Sequence, residues 1–527
     1  MFAFAPTSSG VGIIRLEPED DDYLHDPRCR EKQPFAMSSR GILNVATLLA
    51  LSLAMLMLFA GYPLLSGLGI LNKNNFAVGT NGTGQIPDLP LLQLIDTATP
   101  STAMKWSSPD KIKYDLVFSD EFQVNGRTFW PGDDPFWEAV DIWYGATGDY
   151  EWYSPDNIVT QNGSLVITFE AKESHNLNFQ SGMLQSWNKT CFQGGYIEFS
   201  IQLPGTPQQQ GFWPGAWIMG NLARPGYLGS TDGMWPYSYS ACDTGILANQ
   251  TNIDGTGPDG AIHSKGTYAD NRGHISHLPG MRASSCTCPG EDHPGPNRKT
   301  ARSAPEFDIL EASVVPRGAP TKGQASQSLQ IAPFDEGYHW LKGNASAPIY
   351  GSTTDYNTYE GSVYQEAVSA VSDIPLDGYV SQGQRFVTYA LEYEPDWDLN
   401  GGGYVRWFVD GQPTWMATGA AVGPSSAMDI SQRHISPEPM AMVINLAMAH
   451  NFEPSIWDSL VFPNRMLVDY VRVYQRSGRA TKLSCDPPDY PTAEYINSHL
   501  QLYMNPNLTQ YTDVYPWVKN SLTNPGC

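Results

Sequence analysis

Basic residues are scarce in this sequence of 527 residues. Lys and Arg number 31 against 54 Asp and Glu, which gives a formal net charge of −23. A surface of that sign repels nucleic acids and anionic membranes, so the charge argues against both as electrostatic partners. A neutral ligand suits the composition better, and no nucleic-acid partner is expected.

The sequence also lacks strand–helix–strand alternation, internal repeats and a complete metal motif. The first absence argues against a parallel α/β fold. Cys286 and Cys288 form a C-T-C pair that no CxxC motif or nearby His pair completes into a zinc site. The sequence therefore predicts no metal site, and no cofactor is expected.

Only one long apolar run is present, at residues 42–65. As a helix it would be about 36 Å long, which is enough to cross a bilayer. It is too long, and begins too far from Met1, to be typical of a cleaved signal peptide, which with a buried helix is the alternative. Basic residues lie mostly before it, at Arg28, Arg30, Lys32 and Arg40, with Lys73 after it. The positive-inside rule then predicts a single-pass type II signal-anchor protein of the secretory pathway (endoplasmic reticulum, Golgi or plasma membrane), with its large C-terminal part lumenal or extracellular.

Glycosylation sequons and cysteines agree with this topology. All six sequons follow the apolar run: Asn81, Asn162, Asn188, Asn249, Asn344 and Asn507. Cys29 precedes the run, and an even set follows it: Cys191, Cys242, Cys286, Cys288, Cys485 and Cys527. An even set suits disulfides in an oxidising compartment. The pairing cannot be read from the sequence, and a Cys485–Cys527 bridge is one possibility.

Composition divides the chain into five parts. Residues 1–40 carry an acidic run without apolar periodicity and are predicted to be a disordered cytosolic tail. After the transmembrane segment at 42–65, residues 66–108 have the Gly, Asn, Thr and Pro content of a lumenal stem. Residues 109–480 are predicted to be the folded domain, and residues 481–527 a cysteine-containing C-terminal extension with a short helix near 493–503.

Short runs with period-two alternation predict strands in the folded domain. In "YIEFSIQ", Ile197, Phe199 and Ile201 share one face, and polar side chains occupy the other. Asp410-Gly411 lies between two such runs and predicts a type I′ hairpin. With 15 Trp, 27 Tyr, 49 Gly and 41 Pro, the chain is predicted to be an all-β, concanavalin-like jelly-roll sandwich with long loop insertions at 221–303 and 317–378 that rim a cleft.

The stretch "APEFDILEA" places Glu306, Asp308 and Glu311 within six positions. In a regular strand Glu311 would face away from the other two carboxylates, whereas a β-bulge at residues 309–310 would bring all three onto one face. The carboxyls of the two glutamates could then approach to about 5 to 6 Å, the separation of a retaining glycosidase. The alternative is that these are solvent-facing carboxylates on an ordinary strand.

Tryptophans near Gly and Pro favour a sugar-binding cleft. Trp213 and Trp217 share one face of a predicted strand, and Trp187 and Trp235 lie in other aromatic segments. Each of them, taken singly, is more often a core residue. Together, in an acidic domain on the secreted side, they are predicted to contact sugar rings.

Several motifs, in this order, resemble a known family. "GFWPGAWIMG", "EFDILEA", "RFVTYALEYEPD", "VRWFVDGQP", "PMAMVINLAMA" and "VDYVRVYQ" resemble glycoside hydrolase family 16, the laminarinase-like β-glucanases. From about residue 20 to the C-terminus, the apolar run, "DLVFSDEF", "SGMLQSWNK", "TDGMWPYSY" and "CTCPGEDHPGP" look more closely like fungal membrane proteins associated with synthesis of cell-wall β-1,6-glucan.

The resemblance implies roles for the carboxylates: Glu306 as nucleophile, Glu311 as general acid/base and Asp308 as their assistant, with Trp213 and Trp217 lining donor subsites. Where the hydrolase family usually has His and Trp in "FHTYALEW", this chain has Val387 and Tyr393.

The sequence thus predicts a membrane-anchored β-glucan glycosidase or transglycosylase that acts in β-1,6-glucan synthesis by a retaining double displacement, with the glucan synthesis machinery as a further partner. Transfer to an acceptor sugar is favoured over hydrolysis, since cleaving glucan beside its synthesis would be futile. A catalytically silent, glucan-binding scaffold that assists a synthase is the main alternative, and a structural glycoprotein of the wall is a weaker one. The intact carboxylate triplet favours the enzyme.

Overall fold

The computed structural model describes residues 39–61, 93–267, 269–314 and 322–527. Internal contacts divide the chain into two units, Met1–Asn72 and Lys73–Cys527. Most of the predicted tail, and residues 66–92 of the predicted stem, lie outside the described residues. Residues 105–107 already form a strand of the second unit, so ordered structure begins before residue 109.

The described part of the first unit is helical. Helix α1, Ser39–Leu56, is rich in Leu and Ala, which are strong helix formers. A π-helical turn, Met57–Gly61, follows it directly. Within the described ranges, no helix reaches the length and apolarity needed to cross a membrane. The predicted transmembrane span at 42–65 is therefore not confirmed, and its residues 62–65 lie outside the described part.

Two large sheets, antiparallel throughout, build the second unit. The outer sheet has the strand order β1-β2-β22-β11-β18-β19-β20, with β7 also on β22 and β6 on β7. Its strands are β1 Lys105–Ser107, β2 Lys113–Asp120, β6 Ile158–Gln161, β7 Ser164–Phe169, β11 Gly195–Gln202, β18 Val387–Glu394, β19 Tyr404–Val409, β20 Gln412–Thr418 and β22 Asn464–Arg476.

The cleft sheet has the strand order β15-β17-β14-β13-β12-β21-β9-β3, with β10 on β21 and β16 on β17. Its strands are β3 Glu138–Ala139, β9 Met183–Gln185, β10 Cys191–Phe192, β12 Trp213–Gly220, β13 Glu306–Val314, β14 Gly323–Ile331, β15 Thr354–Tyr356, β16 Gly361–Ser362, β17 Gln365–Asp373 and β21 Met440–Ala447. The predicted β-sandwich is confirmed.

Smaller elements complete this unit. A three-stranded sheet joins β4 Ile142–Trp143, β5 Glu151–Tyr153 and β8 Phe179–Ser181. The short helices are α2 Leu228–Thr231, α3 Asp259–Ile262, α4 Ala493–Ser498 and α5 Leu500–Met504. Helices α4 and α5 occupy the region where one helix near 493–503 was predicted, and His499 interrupts them.

The core lies between the two large sheets because alternate residues of each strand point inward. Ile197, Phe199 and Ile201 of β11 are fully buried in the same apolar cluster as Phe307 and Ile309 of β13. Complete burial of one such side chain contributes about 1.5 to 3 kcal/mol. The candidate site lies on the opposite face of the cleft sheet, which does not pack against the outer sheet.

The predicted hairpin at Asp410-Gly411 is confirmed. Both residues have positive φ, 53° and 72°, which is the type I′ requirement. Strands β19 and β20 pair antiparallel on either side of this turn.

The two predicted loop insertions have different outcomes. Residues 221–303 contain turns and the helices α2 and α3, and no strand occurs among the described residues of that segment. The second segment, 317–378, was wrongly predicted to be a loop, because it contains β14 to β17. Strands β14 and β17, "GQASQSLQI" and "QEAVSAVSD", bury small polar residues and lack strong apolar alternation, so their pattern did not indicate strands.

Three disulfides occur among the described residues and join cysteines 44 to 294 positions apart: Cys191–Cys485, Cys242–Cys286 and Cys288–Cys527. The Cys485–Cys527 pairing considered from the sequence is therefore wrong. The C-terminal extension contributes one cysteine to each of two bridges, which fasten it to β10 at Cys191 and to segment 221–303 at Cys288.

Candidate active site

A β-bulge in β13 brings the three carboxylates onto one face. On the β12 side, Trp217 pairs with Asp308 and Ala216 with Leu310, which leaves Ile309 without a partner in the register. On the β14 side, the register shifts between Asp308 and Glu311. Ile309 and Leu310 are both fully buried in the sandwich core. The extra residue shifts the alternation of side chains by one position, so that Glu311 faces the same side as Glu306 and Asp308. The predicted bulge is confirmed.

The neighbouring strands supply polar and aromatic side chains to the same face. Glu311 pairs with Gly215 of β12 and Ser326 of β14. Gly215 in turn pairs with Asn445 of β21. A Cβ atom on Gly215 would lie 2.6 Å from Oδ1 of Asn445, so a larger residue here would displace the Asn445 side chain.

Each carboxylate accepts a hydrogen bond from a fixed donor. The indole N–H of Trp235 donates to Oε2 of Glu306 at 2.8 Å, and that of Trp213 donates to Oε1 of Glu311 at 3.2 Å. Gln330 of β14 donates to Oδ2 of Asp308 at 2.8 Å. These bonds orient the three groups and partly offset the loss of water around them.

The site favours protonated carboxyls. Burial raises the pKa of Glu306 well above its usual value, and repulsion from Asp308 and Glu311 raises it further. Burial and then repulsion from Asp308 raise the pKa of Glu311 in the same direction. Burial also raises the pKa of Asp308, to about 7. Protons are therefore retained near neutral pH, which general acid catalysis requires.

A chain of hydrogen bonds extends from the site toward the small sheet. The indole N–H of Trp217 donates to Oδ1 of Asn445 at 2.9 Å, and Nδ2 of Asn445 donates to the hydroxyl oxygen of Tyr153 at 3.1 Å. Tyr153 then donates to Asp149 at 3.1 Å. Burial raises the pKa of Asp149 to about 6. This chain fixes the plane of the Trp217 indole.

Aromatic rings flank the carboxylates. Trp213 stacks on Phe452 with ring centroids 4.2 Å apart and planes 4° apart. Trp213 and Trp235 are partly buried, whereas Trp217 is buried. Burial raises the pKa of Tyr144 well above its usual value, and the charge of Glu306 raises it further, which places this tyrosine near the triplet.

Trp187 lies in a different cluster, contrary to its predicted role in substrate binding. It stacks on Tyr503 of helix α5 at 5.5 Å, and its indole N–H donates to the backbone oxygen of Asn221. It packs with the C-terminal extension, in a cluster that also includes Cys485. Both the ring and its only donor are used in that packing.

Sequence reasoning missed Asn445, Tyr153, Asp149, Tyr144, Phe452 and Gln330. Asn445 carried a signal, since it is the one polar side chain in the apolar strand "MAMVINLA". Gln330 lies on β14. Because this segment was predicted to be a loop, Gln330 was not assigned to the candidate site.

Val387 and Tyr393, the two departures from the hydrolase motif, lie in the sandwich core. Both are almost fully buried there, and the ring of Tyr393 contacts that of Phe307 at 5.3 Å. They belong to the outer sheet and face away from the carboxylates, so they do not alter the candidate site.

The predicted glycosylation asparagines differ in exposure. Asn162, Asn249, Asn344 and Asn507 are exposed. Asn188 is buried, at 3% exposure, and its backbone N–H donates to Oδ1 of Asn221. A glycan does not fit at a buried side chain, and Asn81 lies outside the described residues.

Comparisons with known proteins identify relatives of the whole chain. The family model "Beta-glucan synthesis-associated protein SKN1/KRE6/Sbg1" matches residues 11–527. The chain is 43% identical to KRE6 and 42% identical to SKN1, both beta-glucan synthesis-associated proteins of Saccharomyces cerevisiae. The alignments cover 98% and 97% of this chain, and 70% and 66% of those relatives. The chain therefore spans about two thirds of the length of these relatives.

Solved structures resemble the fold. An endo-beta-1,3-glucanase from Pyrococcus furiosus matches with a TM-score of 0.40 and 18% identity, over 72% of this chain and 99% of that one.

Proposed function

The chain belongs to the SKN1/KRE6/Sbg1 family of β-glucan synthesis-associated proteins, and from this premise we propose that it is a retaining β-glucan transglycosylase or glycosidase acting in fungal cell-wall synthesis. The observation that carries the proposal is the carboxylate triplet: two glutamates on one strand face, each held by an indole N–H, with Asp308 between them. Carboxylate pairs of this kind perform double displacement without a cofactor.

In the proposed first step, one carboxylate attacks the anomeric carbon while the other protonates the departing glycosidic oxygen. Glu306 is assigned as the nucleophile, in agreement with the family 16 resemblance and with its shorter bond from Trp235, because a short donor contact stabilises the ionised form. Glu311 then provides the proton. In the second step the Glu311 carboxylate accepts the proton of an incoming hydroxyl while the hydroxyl oxygen bonds to the anomeric carbon and the bond from that carbon to Glu306 breaks.

Asp308 is proposed to adjust this exchange of protons. After burial, its charge is the next cause that raises the pKa of both glutamates, so one of them keeps a proton near neutral pH. Gln330 and the β13 backbone hold Asp308 in place: its backbone oxygen accepts the indole N–H of Trp407 at 2.7 Å. It is a positioning and charge-tuning residue.

Transfer to a sugar hydroxyl is proposed in preference to hydrolysis. Segment 221–303 supplies Trp235, which contacts Glu306 directly, so this insertion forms part of the site. An acceptor held by such aromatic surfaces gains the advantage of proximity over water.

A second candidate is a glucan-binding scaffold without catalysis. It is favoured by the upward pKa shifts of all three carboxyls, because a fully protonated triplet has no nucleophile. Such a site would still offer hydrogen bonds and stacking surfaces to a glucan and could assist the synthesis machinery.

The protein is further proposed to be anchored by the apolar run at 42–65, as a type II protein with the sandwich in the secretory lumen. Charge asymmetry and the sequons after the run support this orientation. Protease added to sealed microsomes should remove only the segment before about residue 41. Digestion of the large domain instead would overturn the orientation.

The catalytic proposal is tested with purified full chain, a labelled β-1,3-gluco-oligosaccharide and excess unlabelled acceptor. Glu306→Gln should abolish product formation with every donor. Glu311→Gln should lose about 100-fold or more with the oligosaccharide, yet still release a good leaving group such as a nitrophenol, which needs little protonation. Glu173→Gln, at an exposed position, is the control and should match the wild type.

The products separate the candidates. Elongated or branched oligosaccharides support transfer, and free reducing ends alone would leave a glycosidase without transfer. Glucan binding without any product, unchanged in Glu306→Gln, would favour the scaffold.

A further inference from the structure

A second cluster of chemically active side chains lies in segment 221–303, on residues other than the carboxylate triplet. Nδ1 of His274 lies 3.3 Å from Oδ2 of Asp270, and Nε2 of His277 lies 3.1 Å from the same oxygen. All three atoms lie within 4.8 Å of one another. We propose that Asp270, His274 and His277 form a zinc-binding site.

The distances match a zinc ion. Tetrahedral zinc holds His nitrogen and carboxylate oxygen at about 2.0 to 2.2 Å, which places neighbouring ligand atoms about 3.3 Å apart. Both contacts to Asp270 have that length. The two nitrogens and one oxygen are donors that zinc accepts readily, whereas Ca²⁺ and Mg²⁺ require mostly oxygen ligands. Three protein ligands leave the fourth position to water.

The backbone holds Asp270 in the orientation that the site needs. Its Oδ1 accepts the N–H groups of Arg272 and His274, both at 2.8 Å. The backbone N–H of Asp270 donates to the carbonyl of His274 at 3.0 Å, which closes the turn. Oδ1 is thereby used in the turn, and Oδ2 is directed at both imidazoles.

Backbone hydrogen bonds of Ile275 and His277 hold the two histidines in place. Ile275 is buried, its N–H donates to the carbonyl of Ala261, and its carbonyl accepts the hydroxyl of Tyr338. The N–H of His277 donates to the carbonyl of Val363 at 2.8 Å, in the turn before β17. The apolar side chain therefore points inward, and the imidazoles remain partly exposed to solvent and accessible to an ion.

One cation competes for the carboxylate. Nε of Arg272 lies 3.5 Å from Oδ2 of Asp270, but the Arg272 side chain is 71% exposed. A long exposed side chain loses little when it swings into water, since surface ion pairs contribute about 0 to 1 kcal/mol. Arg272 therefore does not block the site.

Zinc at this position would cross-link the two ends of the turn at 270–277. The turn at 270–277 contributes the ligands, and His277 is bonded to the connection between β16 and β17. A bound ion would rigidify this turn, which the backbone bond from His277 to Val363 already connects to the edge of the cleft sheet. This inference does not depend on the proposed glucan chemistry.

The test uses purified full chain, stripped with EDTA and titrated with ZnCl₂ against a chromogenic zinc chelator. The wild type should bind one equivalent of zinc that His274→Gln and His277→Gln each lose or bind at least tenfold more weakly, since loss of even an outer-shell partner costs about 10- to 100-fold. Thermal unfolding should shift upward with zinc in the wild type but not in His274→Gln or His277→Gln. CaCl₂ should produce no shift.

The matched control is His263→Gln, because His263 is exposed and paired only with Asp259, at 2.8 Å, in the same segment. It should retain the zinc equivalent. Equal binding by wild type, His274→Gln and His277→Gln would overturn the proposal, as would the absence of zinc binding at micromolar concentration. Loss of zinc in His263→Gln as strongly as in His274→Gln would also refute the assigned ligands.

Discussion

Replacing Asp308 with Asn should stabilise the protein at alkaline pH. The side chains are nearly isosteric, and the amide oxygen of Asn can still accept the bond from Gln330 at 2.8 Å. Only the ability to become charged is lost. Asp308 is buried between two glutamates, and burial raises its pKa from 3.8 to about 7.

The magnitude follows from this shift. The native protein keeps a proton on Asp308 that the unfolded chain releases above pH about 4, so stability is lost as the pH rises toward 7. A difference of about three pH units corresponds to about 4 kcal/mol at most. Asp308→Asn cannot ionise at this position and therefore lacks this pH-dependent loss of stability. Its free energy of unfolding, relative to wild type, should be similar at pH 4 and higher by up to about 4 kcal/mol at pH 8.

Urea unfolding at pH 4, 6 and 8, followed by tryptophan fluorescence, measures the effect. Asp355→Asn, at an exposed position on β15, is the control and should show no such trend. A pH-independent difference between Asp308→Asn and wild type would refute the reasoning. In an activity assay the alkaline limb should move to lower pH, because removing the Asp308 charge lowers the pKa of both glutamates.

Three other changes test separate parts of the structure. Trp213→Phe keeps an aromatic ring but removes the N–H bonded to Glu311, so kcat should fall about 10-fold or more in steady-state assays, and a change in KM alone would contradict this role. Asn162→Gln should remove an endoglycosidase-sensitive gel shift, whereas Asn188→Gln, at a buried position, should not; a shift lost in both would show that Asn188 is accessible during glycosylation. Cys485→Ser should lower the free energy of unfolding in denaturant by about 2 to 5 kcal/mol, and an unchanged midpoint would argue against its bridge.

Regular strands could be predicted from the sequence, whereas polar ones could not. Alternation in "YIEFSIQ" and the Asp410-Gly411 turn identified β11 and the β19–β20 hairpin, because one face of each strand is apolar. Strands β14 and β17 bury Ser, Gln and Ala, which pack by hydrogen bonding across strands: Ser328 lies 2.8 Å from Ser369, oxygen to oxygen. Strands that pack in this way show no hydrophobic periodicity in their sequence, and so they could not be predicted from it.

Motif and spacing predicted that the carboxylates, Trp213, Trp217 and Trp235 lie close together, and the structure brings them together. Trp187 could not be told apart from them, because its surroundings come from the C-terminal extension, about 300 positions later in the chain. The disulfide pairing could not be predicted for the same reason, because the bridged cysteines are also far apart in the sequence. Contacts of this kind are set by tertiary packing, for which local pattern carries no signal.

The bulge in β13 has a consequence for comparing or transplanting this site. One additional residue, Ile309, lies between Asp308 and Leu310, whose partners on β12 are consecutive, so the spacing E-x-D-x-x-E encodes a single face only when a bulge is present. A strand without the bulge would need E-x-D-x-E to present the same three groups. Deletion of Ile309 or Leu310 would convert the first spacing into the second, so an alignment gap of one position here marks loss of the bulge while the three acidic residues stay on one face.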